Sequence, residues 1–273
     1  MIRAVTLNNN DGQENPTPDL LARVAQLGQS KIDILCCQGV WHAMDDSEDE
    51  TRKIAKSLRM NYSIFAANHT RKRKTKQNVN GVRGLAILTG TGIWPLNSGS
   101  FQGVDDSDGS RGIVQFALVR KNAASMLVLN LQLCESKQSQ LLQLDALFSH
   151  PMLKERYGAV VLCGDRRTRL SAKELQTITK RSSYTSHSPP PTASSVGDGL
   201  LWLLVAGKQP LASVTIHNQQ PSSSLEFELD RISQDKNFRP YYLPLSFEEQ
   251  RSVYKTSAKP SSPESNPSAI HQE

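Results

Sequence analysis

The sequence predicts a layered α/β sandwich built on mixed sheets. Strand candidates outnumber helix candidates, and the helices fall between strands without the strict alternation of a doubly wound parallel sheet. No strand is followed by a G-x-G-x-x-G or P-loop pattern, so a nucleotide-binding parallel sheet has no support.

The elements follow in chain order. Residues 2–8 alternate as a strand, and 9–17 form a turn-rich loop. Residues 18–28 place Leu20, Leu21, Val24 and Leu27 on one helical stripe, with Gly28 as the stop. A near-continuous apolar run makes 31–38 a buried strand. Ser47, with Glu50 three residues later, forms a capping-box pattern that opens a helix reaching Leu58. Residues 62–67 read as a strand and 68–80 as a basic, polar loop. Strands at 83–89, 112–120 and 125–133 come next, the last two joined as a hairpin through Lys121 and Asn122. An amphipathic helix covers 136–148, and the strand 159–164 delivers Asp165 at its C-terminal end. Ser171 with Glu174 caps a short helix to Lys180, and the Ser-, Thr- and Pro-rich 182–195 reads as an exposed loop. Strands at 200–205, 211–217 and 242–247 complete a domain of residues 1–250. The remainder, 251–273, is a polar stretch without periodicity and is expected to be a disordered tail. No internal repeat is visible.

A chain of 273 residues with 37% hydrophobic and 21% charged residues can bury a full core and reads as soluble and globular. Its longest apolar run, 200–206, is far too short to span a bilayer, and the N-terminus lacks the features of a signal peptide. Cys36, Cys37, Cys134 and Cys163 fall at predicted strands without zinc spacing, and the adjacent pair must point to opposite sheet faces. They read as reduced, buried thiols of an intracellular, cytoplasmic protein. The net charge of +6 is mild and partly local: five basic residues sit in 71–76 and five acidic ones in 45–50.

Several segments, in order and at sensible spacing, resemble the endonuclease/exonuclease/phosphatase superfamily, whose fold is that of deoxyribonuclease I. Thr6-Leu7-Asn8 stands where that family's first strand ends in Trp-Asn. Residues 33–41, D-I-L-C-C-Q-G-V-W, resemble D-I-(I/L)-x-L-Q-E-V, and 84–88, G-L-A-I-L, resemble G-x-A-I-L. Residues 129–133, L-N-L-Q-L, align with N-T-H-L, and 161–167, V-L-C-G-D-R-R, with the strand ending G-D-F-N. Residues 196–205 are similar to the I-D-x-I-x-V strand, and 241–245, Y-Y-L-P-L, to the closing D-H-x-P-(L/V). The resemblance covers roughly residues 1–250. It implies a four-layer sandwich of two mixed sheets flanked by helices, with one phosphate-cleaving cleft at the strand ends. It also implies a magnesium ion held chiefly by a Glu, with two histidines and an Asp shaping attack of water on phosphorus.

The departures fall on the chemistry. The metal-binding Glu corresponds to Gly39, the N-T-H-L histidine to Gln132, the G-D-x-N asparagine to Arg167, and the closing Asp-His to Tyr241-Tyr242. Asn8, Gln38, Asp165 and Asp198 survive, and Asn8, Asp165 and Asp198 are the candidate catalytic positions. Magnesium normally requires a carboxylate or a substrate phosphate, so no resident metal is expected unless the enzyme is active. Asp165 with Arg166 and Arg167 reads either as a phosphate-recognition patch or as a surface ion pair. Arg71, Lys72, Arg73 and Lys74 read either as a phosphate-neutralising loop, a nuclear-import-like stretch or a solvated one. No aromatic residue lies between Thr70 and Val82, so base stacking is not provided there. Asp11, Glu14 and Glu135 are the acids that could rebuild a metal site, Tyr242 a phenol donor, and His42 the one histidine near a predicted cleft loop. The leading expectation is a catalytically impaired member that keeps a binding or regulatory role toward nucleic acid or another phosphate-bearing ligand, with no membrane partner. The alternatives are an active phosphoesterase with a rearranged magnesium site and a non-catalytic nucleic-acid-binding module.

Overall fold

Neighbouring parallel strands need a long crossover, and the described residues include two such pairs, one at the centre of each sheet. The computed structural model describes residues 2–9, 22, 24, 25, 27, 31–45, 49–72, 80–105, 111–122, 124–154, 157, 159–164, 170, 171, 174, 177, 178, 184–186, 200–206, 214–219 and 222–227. All of them belong to the unit Met1–Phe238; the unit Arg239–Glu273, with the expected strand 242–247 and the expected tail, lies outside the described residues.

The strands are β1 (Ile2–Asn8), β2 (Ile34–Ala43), β3 (Tyr62–Lys72), β4 (Asn80–Thr89), β5 (Trp94–Asp105), β6 (Arg111–Lys121), β7 (Ala124–Gln132), β8 (Ala159–Gly164), β9 (Tyr184–Ser186), β10 (Leu200–Ala206), β11 (Val214–Gln219) and β12 (Ser222–Phe227). The helices are α1 (Glu50–Leu58) and α2 (Lys137–Ser149), the latter followed by a 3-10 turn, Pro151–Lys154. Among the described residues one six-stranded sheet runs β11-β12-β1-β2-β4-β3 and the other β5-β6-β7-β8-β10-β9. β1 lies parallel to β2, and β7 parallel to β8; the remaining ladders are antiparallel. Helical residues Ala22, Val24, Ala25 and Leu27 lie between β1 and β2, and α2 lies between β7 and β8.

Strand alternation sorts the side chains into layers. Ile2, Ala4, Ile34, Cys36 and Ile87 of the first sheet pack between the sheets against Ala117, Val119, Met126, Val128, Ala159, Val161 and Cys163 of the second. The opposite face of the first sheet (Val5, Leu7, Leu35, Cys37, Ala86, Leu88) is covered by Val24 and by Ile54 of α1. The outer face of the second (Val114, Phe116, Leu127, Leu129, Leu131, Val160, Leu162) is covered by Leu144, Leu147 and Phe148 of α2 and by Ile178. This is the expected four-layer, deoxyribonuclease-I-like sandwich. Cys36 and Cys37 point to opposite faces as alternation requires, and all four cysteines are buried and unbridged. Burial, with Cys163 as hydrogen-bond partner, pushes the Cys36 thiol well up; burial does the same at Cys37. No helix among the described residues is long and apolar enough to cross a membrane.

Several boundaries differ from expectation. The N-cap of α1 is Asp49, whose Oδ1 accepts from the Arg52 N–H at 2.9 Å, so Glu50 is the first helical residue and no capping-box partner of Ser47, which lies outside the described residues. The expected loop 68–80 is shorter: β3 runs on through Lys72 and β4 starts at Asn80, because Lys72 pairs with Asn80 and Arg71 with Gly81. The expected loop 182–195 contains β9, held by the edge of β10, and the expected strand 211–217 is β11, displaced toward Gln219. β5 and β12 were not anticipated. Their Ser-, Gly- and Gln-rich sequences carry no hydrophobic alternation, and pairing along β6 and β1 makes them strands. The Ser171–Glu174 capping box forms as expected: Glu174 Oε2 accepts from the Ser171 N–H at 2.9 Å and its Oγ at 2.7 Å, and Lys137 of α2 closes on Oε1 at 2.9 Å. Those Ser171 and Lys137 donors hold the Glu174 carboxyl down at about 2.

His150 ends α2. Its Nδ1 accepts from the Met152 N–H at 3.2 Å, and its ring stacks on Phe101 at 4.9 Å with 5° between planes. Both contacts suit the neutral ring, and burial holds its pKa below the usual 6.5. A lowered folded pKa means that the unfolded chain takes up the proton first. This contribution to stability is therefore complete above about pH 6.5 and is lost as the pH falls through the folded value. The urea midpoint is expected to drop between about pH 7 and about pH 5, and His150→Asn, which keeps an acceptor but cannot titrate there, is expected to flatten that part of the profile.

Candidate functional site

The inward-facing columns that supply the inter-sheet core turn polar at one end. In β1 the run Ile2, Ala4 continues as Thr6 and Asn8; in β2, Ile34 and Cys36 continue as Gln38; in β7, Met126 and Val128 continue as Asn130 and Gln132. Register brings these ends together. Asn8 lies opposite Gln38 across the parallel β1–β2 pair, and Gln132 lies opposite Ile113.

Asn130 is the hub. It is wholly buried, and its Nδ2 donates across the sandwich to the carbonyls of Cys37 (3.0 Å) and Ala86 (3.1 Å) and, at 3.3 Å, to Gln115 Oε1. Its Oδ1 accepts from Gln38 Nε2 at 2.7 Å, and that amide also donates to Thr6 Oγ1 at 3.1 Å. Gln115, on β6, reaches the first sheet through Ile64 O at 2.9 Å. At the rim Gln132 Oε1 accepts from Asn68 Nδ2 of β3 at 3.0 Å, a further bond between the sheets. The chain beyond Gln132 is held by α2: Gln143 donates to the Gln132 carbonyl (2.9 Å) and accepts from the Cys134 N–H (3.1 Å), while Gln140 donates to Cys134 O (2.8 Å).

Gly39 sits in a β-bulge, where Gln38 and Val40 pair with consecutive residues of β4, and it adopts φ 73°. A side chain there would meet left-handed backbone strain of ~1–2 kcal/mol, so the backbone at this bulge is suited to glycine. Gly84 has a different reason. An added Cβ would fall 2.0 Å from the Ala66 carbonyl, so the first residue of the G-x-A-I-L strand is a packing requirement. Buried Glu50 is tied to the strand beyond the bulge: its Oε2 accepts from the Trp41 N–H at 2.8 Å and from Asn9 Nδ2 at 3.5 Å.

The sequence candidates divide accordingly. Asn8 is buried at the end of β1, in the polar group. Arg71 and Lys72 are residues of β3 and not of a loop. Asp165, Arg166, Arg167, Asp198, Arg73, Lys74, Asp11, Glu14, Tyr241 and Tyr242 lie outside the described residues. β8 ends at Gly164, opposite Leu131 and Leu200, so the strand that leads into Asp165 finishes beside Gln132. His42 is a strand residue, stacked on Phe65 at 5.5 Å and 3.7 Å from Asp49 Oδ2, away from the amide cluster. Asn130, Gln115, Asn68 and Glu50 were not anticipated as members. For the first two the signal was present: a lone amide at an inward position of an otherwise apolar strand.

These groups do not fit a magnesium ion. Magnesium takes hard oxygen donors in near-ideal octahedral geometry. Here the amide oxygens of Asn130, Gln115, Gln132 and Gln143 each already accept a bond from the protein, and Gln38 Oε1 lies 3.4 Å from Thr6 Oγ1. No group of three or more His, Cys, Asp or Glu side chains suited to a metal occurs among the described residues.

No protein-family model matches the sequence, and no curated protein is similar to it. Solved structures share its fold. The endonuclease/exonuclease/phosphatase from Bacteroides vulgatus aligns at 16% identity and TM-score 0.57, covering 83% of this chain and 99% of that one. The catalytic domain of human Nocturnin, solved with a bound sulfate anion, aligns at 14% and 0.58 over 83% and 93%. The mannosyl-6-phosphatase Bt3783 of Bacteroides thetaiotaomicron VPI-5482 aligns at 12% and 0.55 over 84% and 100%.

Asn130→Leu would strand several buried inter-sheet acceptors at once. It is expected to destabilise the fold by about 2–4 kcal/mol, read as a lower urea midpoint with an unchanged slope. The architecture of this chain is that of the endonuclease/exonuclease/phosphatase proteins.

Proposed function

We propose that this chain keeps the scaffold of a phosphoester hydrolase without its catalysis and acts as a binding or regulatory module. The observation that carries this is the amide cluster. Where the related fold would place a metal-holding Glu and an acid–base His, this chain has Gly39 in a bulge and a Gln132 already bonded to Asn68. An amide neither exchanges protons near neutrality nor supplies negative charge, and general acid–base help alone is typically worth ~10²–10⁴ in rate. A phosphate-bearing ligand remains the class that the scaffold favours. Nocturnin's catalytic domain holds a sulfate, and Bt3783 is a mannosyl-6-phosphatase. Asp165, with Arg166 and Arg167, would meet such a ligand from the end of β8, with Asn8 and Asp198 beside it.

Hydrolysis of phosphodiester and phosphomonoester substrates, assayed with magnesium or manganese, is expected to be indistinguishable between the wild type and Asp165→Ala. A metal-dependent activity that Asp165→Ala abolishes would establish the alternative, an active enzyme with a rearranged site.

A second reading is favoured by β3 and β4. Their ladder continues to Lys72 and Asn80, so the basic run Arg71, Lys72, Arg73, Lys74 and Lys76 begins on β3, three residues beyond Asn68, which bonds Gln132. Such a basic run suits sequence-independent contact with the phosphates of a nucleic acid. Affinity for a duplex probe is expected to fall steeply with salt, and replacing these five residues by Gln is expected to remove most of that dependence. An unchanged salt slope would show the run to be merely solvated.

A further inference from the structure

Far from the amide cluster the surface has a different character. Among the described residues the large apolar side chains left exposed are Met44, Trp94, Leu96 and Leu142. Single exposures of this kind are ordinary, but Trp94 (54%) and Leu96 (40%) stand two residues apart on β5 and have a further ring beside them. Half-buried Tyr62, at the start of β3, lies 5.6 Å from Trp94 between ring centroids, with the planes tilted by 54°. Among the described residues β3 and β5 are end strands of their sheets, so the two rings form a wedge where both sheets finish. Tyr62 precedes Asn68 by six residues of the same strand, which puts the wedge about 20 Å from the rim of the amide cluster. It lies at the opposite end of the sandwich.

The charge around the wedge is of one sign. Arg120 of β6 is the direct ladder partner of Trp94, which sets their Cβ atoms about 4.5–5.5 Å apart, and Lys121 follows it. Arg59, which ends α1 in the left-handed conformation, precedes Tyr62 by three residues. Both arginines are exposed. The segments 59–65, 89–102 and 117–126 that build this end contain these three cations and no Asp or Glu. Asp33, whose carbonyl accepts from the Gly90 N–H at 2.8 Å, keeps its carboxylate buried, with Oδ2 accepting from the Arg3 N–H at 2.9 Å. An exposed aromatic ring beside cations, with no acid to repel phosphate, suits unpaired nucleotides: the ring stacks on a base and the cations meet the backbone. A duplex keeps its base faces hidden, so it cannot use the ring. We infer that this end of the sandwich is a contact site for single-stranded nucleic acid. Trp94 is the stacking platform, Tyr62 supports it, and Arg120, Lys121 and Arg59 are the phosphate partners. The contact needs neither the amide cluster nor residues 71–76.

The test uses the full chain and a fluorescein-labelled oligothymidylate of about 15 nucleotides, titrated by anisotropy, with the unlabelled strand followed by tryptophan fluorescence. The wild type is expected to bind with quenching of tryptophan emission. Trp94→Ala is expected to remove most of the quenching and to weaken binding by about fivefold or more. Trp94→Tyr, which keeps a ring, is expected to retain most of the affinity. Arg120→Gln is expected to weaken binding and to lower its salt dependence. All three substitutions fall on exposed side chains and are expected to keep the wild-type urea midpoint. Absence of binding or of quenching in the wild type would overturn the inference. So would equal affinities for Trp94→Ala and the wild type; if replacing Arg71, Lys72, Arg73, Lys74 and Lys76 by Gln then removed binding, the basic run alone would be the nucleic-acid contact. Equally tight binding of polyglutamate, or of a duplex of the same length, with the same sensitivity to Trp94→Ala, would make the patch a surface for acidic chains in general and overturn the stacking role.

Discussion

An amide buried between two sheets cannot be left without partners, and Asn130 sets the terms for everything around it. Its four bonds reach the carbonyls of two strands in the facing sheet, a neighbour on β6, and Gln38 on β2. A one-residue slip of β7 in its ladder would break all of them and turn an apolar column outward. The hub thus acts as a registration pin for the sandwich at the end where the strands finish. It also occupies amide oxygens there: those of Asn130, Gln115 and Gln132 each accept a bond from a neighbour.

The rest of the architecture follows from the two parallel pairs. Each crossover leaves a helix on the outer face of its own sheet, so every sheet has one face against the other sheet and one against helices. Central strands are buried on both faces, and their sequences accordingly run nearly continuous in apolar residues, as in β7 and β8. Glycines serve where backbone must come close or bend: Gly84 beneath the Ala66 carbonyl, Gly39 in the bulge of β2. That bulge, with its positive φ, favours a residue without a side chain.

Legibility along the chain tracked burial. β1, β2, β4, β6, β7 and β8 could be read because their side chains answer to a core, and the opposed faces of Cys36 and Cys37 followed from alternation alone. β5, β9 and β12 could not. Their polar sequences are held in place by hydrogen bonds from a neighbouring strand, which leave no pattern in the side chains. Glu50 was misread for a related reason. Its spacing from Ser47 satisfies a local capping rule, yet its carboxylate is bonded to the Trp41 backbone of β2 across the helix–sheet boundary. Asp49, one residue earlier, took the cap.

The amino-acid sequence alone determined the layered class and the likeness to an endonuclease/exonuclease/phosphatase scaffold, and it raised the expectation that Gly39 and Gln132 stand where that scaffold carries an acid and an imidazole. These are matters of composition at given positions, and they need no partner to be visible. Only the tertiary structure decided that Asn130, Gln115 and Gln38 lock onto one another and that Asn68 holds Gln132. Hydrogen-bond partners |i−j| of 15 to 93 residues away are chosen by sheet order and register, and nothing local in the chain encodes that choice.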